Sequence, residues 1–101
     1  MIKNPSAFPA PIINIHPSLL PKYKGLHAIE QALDSGDEVT GVSVHYVNEE
    51  LDGGEIILQQ EVPILPDDNL NSLTKAIQRV EYAILPEAIK HVKHKIQVGT
   101  Y

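Results

Sequence analysis

The stretch Ile12-Ile13-Asn14-Ile15-His16-Pro17 decides how this chain is to be read. Side chains on a strand alternate faces with a period of two. If this β-branched run is a strand, Asn14 and His16 project from one face while Ile13 and Ile15 project from the other. Pro17 brings no backbone N–H, so it ends the ladder and starts a loop. An amide and an imidazole then stand side by side at the C-terminal end of a strand, where α/β sheets open their ligand crevice. Both groups can donate to a developing oxyanion. The same spacing also describes an edge strand with two polar residues facing solvent, and on spacing alone that plainer reading is the stronger.

A chain of 101 residues is one small domain or part of a larger one. The hydrophobic share of 43% and the charged share of 21% are those of a folded soluble chain. With 8 basic and 13 acidic residues the net charge is −5, which argues against a nucleic-acid backbone or an anionic membrane as partner. No basic stripe with interleaved aromatics supports nucleic-acid binding either. The absence of cysteine removes disulfide and thiolate chemistry and suits a cytoplasmic home. No apolar run is long enough to span a membrane, and Met1–Pro5 lacks the apolar core of a signal peptide.

Pro5, Pro9 and Pro11 forbid regular helix or ladder, so residues 1–11 read as an extended arm or linker ahead of residues 12–101. Ile12–His16 is the first strand and Pro17–Gly25 a loop. His27–Ser35 carries Ile29, Ala32 and Leu33 at helical spacing and is closed by Gly36. Val42–Val47 and Ile56–Val62 alternate as strands on either side of the turn-rich stretch Asn48–Gly54. A connection of about seven residues favours an antiparallel pair, because a parallel crossover needs roughly a dozen or more. Asp68 or Asn69 caps a last helix in which Leu70, Leu73, Ile77, Val80, Ile84 and Ala88 recur every three or four residues. Pro86 should kink it. The tail from His91 is polar and basic until Ile96-Gln97-Val98, which reads as a short strand or a frayed end. These elements make half a sheet with one covering layer, so the chain reads as one half of a larger α/β domain.

His91 and His94 could share a metal, but no third ligand has matching spacing and Lys90, Lys93 and Lys95 would repel a cation; no metal site is expected. His45 shares a face with Ser43, and a hydrogen-bonded structural histidine is its plainer reading. In Leu51-Asp52-Gly53-Gly54 the aspartate can simply bond its own backbone in a turn. A turn this rich in glycine also lets backbone approach a ligand closely. A carboxylate there could reach an imidazole on the neighbouring strand and hold it cationic.

Taken together, Asn14-Ile15-His16-Pro17-Ser18-Leu19-Leu20-Pro21, Gly25-Leu26-His27, Ser43-Val44-His45 and Leu51-Asp52-Gly53-Gly54 resemble the formyltransferase family that uses 10-formyltetrahydrofolate. The resemblance runs from about Ile12 to about Val92, with the blocks in order and correctly spaced. It is nearest to the branch whose acceptor is glycinamide ribonucleotide, in purine biosynthesis. It implies the C-terminal half of a Rossmann-like formyltransferase domain: a parallel strand, a helix, an antiparallel hairpin and a long kinked C-terminal helix. The family's catalytic residues fall on Asn14, His16 and Asp52. Contacts to the glycinamide moiety fall on Gln78 and Glu81, with His45 lining the same pocket. Leu51, Asp52 and Gly53 form part of the folate pocket, and Ser18–Gly25 is a mobile segment over the site. The implied cosubstrate is 10-formyltetrahydrofolate, with no metal.

The family's N-terminal half carries a glycine-rich phosphate loop and a strand that binds the pterin. Here no glycine occurs before Gly25. The expectation is therefore that the isolated chain is weak or inactive and works with a missing N-terminal half. Two other readings remain open. One is an associative or structural fragment that pairs through the exposed edge of its first strand. The other is a formyltetrahydrofolate deformylase, or a formyltransferase acting on another amine.

Overall fold

The computed structural model describes residues 12–47 and 54–98, so the arm expected at 1–11 and the turn bearing Asp52 lie outside the described residues. Among the described residues the elements are β1 (Ile13–His16), α1 (Ala28–Ser35), β2 (Val39–Tyr46), β3 (Ile56–Pro63) and α2 (Leu70–Val98). The strands form one sheet in the order β1-β2-β3. Both pairings are antiparallel. The connection through α1 returns to the end of the sheet that it left, which makes β2 antiparallel to β1; a parallel neighbour for β1 is not among the described residues.

Register divides the sheet into two chemically different faces. Residues directly opposite each other in an antiparallel pair share a face. Ile13 faces Tyr46, Ile15 faces Val44, and Val44 faces Leu58 in turn. On this face Val42, Val44 and Val62 are buried and form the core with Leu73, Ile77, Ile84 and Ala88 of α2. The spacing of those helical residues keeps them in one stripe along the side of α2 that meets the sheet. The other face carries Asn14, His16, Ser43 and His45. A register irregularity between Val44 and His45 sets His45 against Ile56 while Val44 stays against Leu58. The bulge leaves one extra residue, Ile57, on β3.

Helix ends follow local chemistry. Gly36 ends α1 at φ 80°, a left-handed conformation open to a residue without a Cβ, and its N–H reaches the Leu33 carbonyl. At the start of α2 the two expected caps divide the work. Asn69 Oδ1 accepts from the Ser72 N–H at 2.8 Å, and Ser72 Oγ accepts from the Asn69 N–H at 3.0 Å. Asp68 braces the turn by accepting from the Leu65 N–H at 2.8 Å and from the Ser72 hydroxyl at 2.5 Å.

Two boundaries differ from the sequence reading by more than one residue. β2 begins at Val39, three residues before the alternation starts, because Thr40 and Gly41 join the ladder opposite Val62 and Glu61. A glycine inside a strand gives no β signal, yet here backbone must pass closely. A Cβ at Gly41 would collide with the Gln60 carbonyl oxygen and the Leu19 side chain. At the other end, Ile96-Gln97-Val98 is helical, not a strand, since α2 continues through Pro86 to Val98. The first glycine or proline after Pro86 is Gly99, so no stop signal intervenes.

Leu73 is fully buried at the centre of the core. Leu73→Ala is expected to cost about 2–5 kcal/mol. Against a total stability of roughly 5–15 kcal/mol for a typical domain, that is a large share. A urea titration should show the midpoint falling with little change in slope.

Candidate active site

The polar face of the sheet is built by β1 and β2 together. Asn14 lies opposite His45, and His16 opposite Ser43. Asn14 is exposed, whereas His16, Ser43 and His45 are 5%, 0% and 3% exposed. The structure thus brings together three of the expected residues, Asn14, His16 and His45, and adds a buried hydroxyl. His45 Nδ1 donates to the Tyr46 carbonyl at 3.0 Å. His16 Nε2 donates to the Tyr23 carbonyl at 2.7 Å. A carbonyl can only accept, so that ring nitrogen carries a proton.

The loop after β1 lies over this face and is held there by Ser43. The Ser43 hydroxyl donates to the Ser18 carbonyl at 2.7 Å. It accepts from the Leu20 N–H at 3.0 Å and from Gln59 Nε2 at 2.9 Å. One donor and two lone pairs are a hydroxyl's full capacity. Gln59 also donates to the Leu20 carbonyl at 2.9 Å, and the Ser18 hydroxyl to the Lys22 carbonyl at 2.5 Å. The segment expected to be a mobile cover is therefore latched to β2 through buried hydrogen bonds and to β3 through part-buried ones, and Gly41 leaves the space that Leu19 occupies.

Farther along the loop, Tyr23 adopts φ 55°, rare for a residue with a Cβ. Its hydroxyl donates to Asp37 Oδ2 at 2.7 Å, and Lys22 Nζ reaches the same oxygen at 3.0 Å. The Tyr23 hydroxyl, and then the Lys22 ammonium, hold the Asp37 carboxyl below its ordinary value of 3.8. The same carboxylate raises Lys22 above 10.5.

Gln78 and Glu81 stand on α2, which packs on the apolar face, whereas Asn14, His16 and His45 come from the strands. Gln78 is exposed; Glu81 is half-buried, and that burial pushes its carboxyl above the usual range. Leu51, Asp52 and Gly53 lie outside the described residues. His91 and His94 lie on α2, and among the described residues no three His, Asp or Glu side chains gather as metal ligands. Sequence reasoning missed Ser43, Tyr23 and Asp37 as supports of the site. Ser43 had a usable signal, its position two residues from His45 on one face. The left-handed Tyr23 had none.

Two outcomes follow from the latch. Ser43→Ala leaves buried loop groups without their partner and should cost about 1–3 kcal/mol. Loss of hydrogen-exchange protection at the Leu20 amide would report it directly. For Asp37 the folded-state value is depressed, so its stabilisation is complete above pH 4 or so and disappears as pH falls through the lowered value. The stability difference between the chain and Asp37→Asn should be flat from about pH 5 to 8 and close up below about pH 3.8, as followed by urea denaturation.

Residues 5–89 match the formyl transferase family. The chain is 54% identical over 78 residues to phosphoribosylglycinamide formyltransferase of Escherichia coli, a match covering 77% of this chain and 37% of that protein. It is 53% identical over 78 residues to the trifunctional purine biosynthetic protein adenosine-3 of Drosophila melanogaster, covering 77% of this chain and 6% of that one. Among solved structures, glycinamide ribonucleotide transformylase 1 from Symbiobacterium toebii aligns with a TM-score of 0.78 at 50% identity, covering 83% of this chain and 40% of that one. The chain spans well under half the length of the curated relatives it matches. This partial coverage fits the C-terminal half of a formyltransferase-type α/β domain. With a match over most of its residues, the chain belongs to the formyl transferase family.

Proposed function

We propose that this chain supplies the catalytic half of a site that moves a formyl group from 10-formyltetrahydrofolate to the primary amine of glycinamide ribonucleotide. The observation that carries the reading is the pairing of Asn14 with a buried, oriented His16 on one sheet face. The acceptor amine attacks the formyl carbon, its nitrogen bonds to that carbon, and the bond from the carbon to N10 of the folate breaks. Asn14 and His16 donate to the oxyanion formed between those events, and one such donor is worth about 10²–10³ in rate. Asp52 sets the charge of His16 and, directly or through water, takes the proton that the amine loses; N10 gains one as it leaves. Gln78, Glu81 and His45 hold the glycinamide moiety, and Leu51, Asp52 and Gly53 line the folate pocket. No step requires a metal.

Substrate phosphate and pterin draw their main contacts from the rest of a full-length domain, and that binding energy positions the reacting atoms. The isolated chain is therefore slow or inactive, and the complete site works in the cytoplasm. A second reading has one observation in its favour. Ile12 is 52% exposed beside the outer edge of β1, which suits association through that edge.

Formyl transfer to glycinamide ribonucleotide, measured with the chain alone and with a separately supplied N-terminal half, tests the proposal. Turnover is expected only on mixing, and His16→Ala should lower kcat by about 10²–10³ while the chain stays folded. No turnover in either arm from a folded chain would favour the associative reading. Glu81 gives an independent check. Its raised carboxyl disfavours the charged form in the fold, so Glu81→Gln should stabilise the chain near neutral pH, with the gain vanishing as pH drops below 4.5. The same variant should raise KM for glycinamide ribonucleotide in the active mixture, a cost to function where stability gains.

A further inference from the structure

We infer that the outer faces of α1 and α2 form a reciprocal docking surface for a second copy of this chain, with Lys75, Arg79 and Tyr82 of each copy seated against Leu26, Glu30 and Asp34 of the other. Charge is unevenly divided along the chain. α2 holds five basic and two acidic residues, a net +3, in a chain whose total is −5, so the remainder carries −8. Lys75, Arg79, Tyr82, Pro86 and Lys93 follow one another at intervals of three, four or seven residues, which sets them in one row along the helix. All five are exposed, and the row contains no acidic residue. Among the described residues Lys75, Arg79 and Lys93 have no ion-pair partner.

The complement lies on α1. Glu30 and Asp34 are exposed and one turn apart, while Ile29 and Leu33 pack on the core. Glu30 reaches only the exposed His27 ring, at 2.7 Å. On a rise of about 1.5 Å per residue, Lys75 to Arg79 and Asp34 to Glu30 are each about 6 Å, so two ion pairs fit in antiparallel register. Exposed ion pairs alone bind weakly, and an apolar contact is available beside them. Tyr82 and Leu26, at 82% and 81%, are the most exposed large apolar side chains among the described residues. In the same register they come together. Leu26 is held out by its surroundings: Gln31 Nε2 donates to its carbonyl at 3.0 Å, and His27 beside it takes a left-handed φ of 63°. The aromatic then supplies contact area and the charges supply orientation. α1 and α2 pack against each other and on one core, so both outer faces are presented together. A two-fold operation sets each face on the other's complement and closes the pair. A long polyanion fits less well, because the −8 carried elsewhere repels it.

Sedimentation equilibrium of the 101-residue chain at low salt should show a dimer that dissociates as sodium chloride is raised. The double variants Lys75→Glu with Arg79→Glu, and Glu30→Lys with Asp34→Lys, should each raise the dissociation constant by about tenfold or more, with folding checked by amide spectra. Mixed in equal amounts, the two should pair again, since each reversed face then meets its opposite. Tyr82→Ser, which alters no charge, should weaken the dimer by about tenfold if either reversal fails to fold. Ile12→Lys should leave it intact, because the free edge of β1 is a different surface. A parent that stays monomeric, a dimer that survives both reversals, or one dissolved by Ile12→Lys would overturn the inference. Failure of the folded reversals to pair on mixing would do the same. A monomeric parent whose α2 amides shift on adding poly-L-glutamate would assign the face to an acidic partner of another kind. None of these readouts depends on formyl transfer.

Discussion

The register of β1 on β2 is the constraint on which the rest of this structure depends. It sets Asn14 against His45 and His16 against Ser43 on one face, with Ile15 against Val44 on the other. Because the side-chain period is two, a slip of one residue would send the imidazole and the amide into the core and two isoleucines into the site. The apolar stripe of α2 blocks that slip. Leu73 and Ile77 find matching apolar partners only when Val42 and Val44 point toward them. The core on one face thereby specifies the site on the other.

The polar face is organised around Ser43, a buried hydroxyl whose hydrogen-bonding capacity is fully used. A hydroxyl buried without partners is costly, whereas one whose donor and both lone pairs are used rigidifies its neighbourhood. Ser43 is of the second kind, and through it the loop becomes an extension of the sheet. The imidazole of His16 inherits that order, since its backbone acceptor belongs to the same loop. A site carried on strands and a latched loop loses little entropy when it meets a ligand, which is the physical meaning of preorganisation. The charged clamp at Lys22, Tyr23 and Asp37 is partly exposed, and charges there are screened by solvent. Its value lies in orientation more than in stability.

Most of the fold was legible from local pattern. The β-branched run, Gly36 after α1, Asn69 before α2 and the spacing of Leu73, Ile77 and Ile84 each announce an element through chemistry that acts within a few residues. One failure occurred where a long-range contact overrode local preference, the other where the local signal was weak. Gly41 reads as a break, yet it belongs to β2, because Leu19 and the β3 backbone need the room that a side chain would fill. The tail of α2 reads as ambiguous because polar and basic residues carry little periodic signal, and the helix simply propagates from an already nucleated turn. Of the site, Asn14 and His16 stood out by spacing and became a chemical pair through their resemblance to a family. Ser43 did not stand out, since its importance lies in partners 25 and 16 residues away.

By itself the sequence determined which residues could share a face, where α1 ends and where α2 begins, and through its resemblance to the formyltransferases it proposed working roles for Asn14, His16 and Asp52. Those conclusions need only the periodicity of strands and helices and the order of short motifs. Tertiary structure alone decided that the loop is latched, that His16 gives its Nε2 proton to Tyr23, and that Asp37 lies within reach of Tyr23. Hydrogen bonds between distant residues depend on distances of a few tenths of an ångström. No spacing along the chain encodes such a distance until the sheet, the loop and α1 have been packed together.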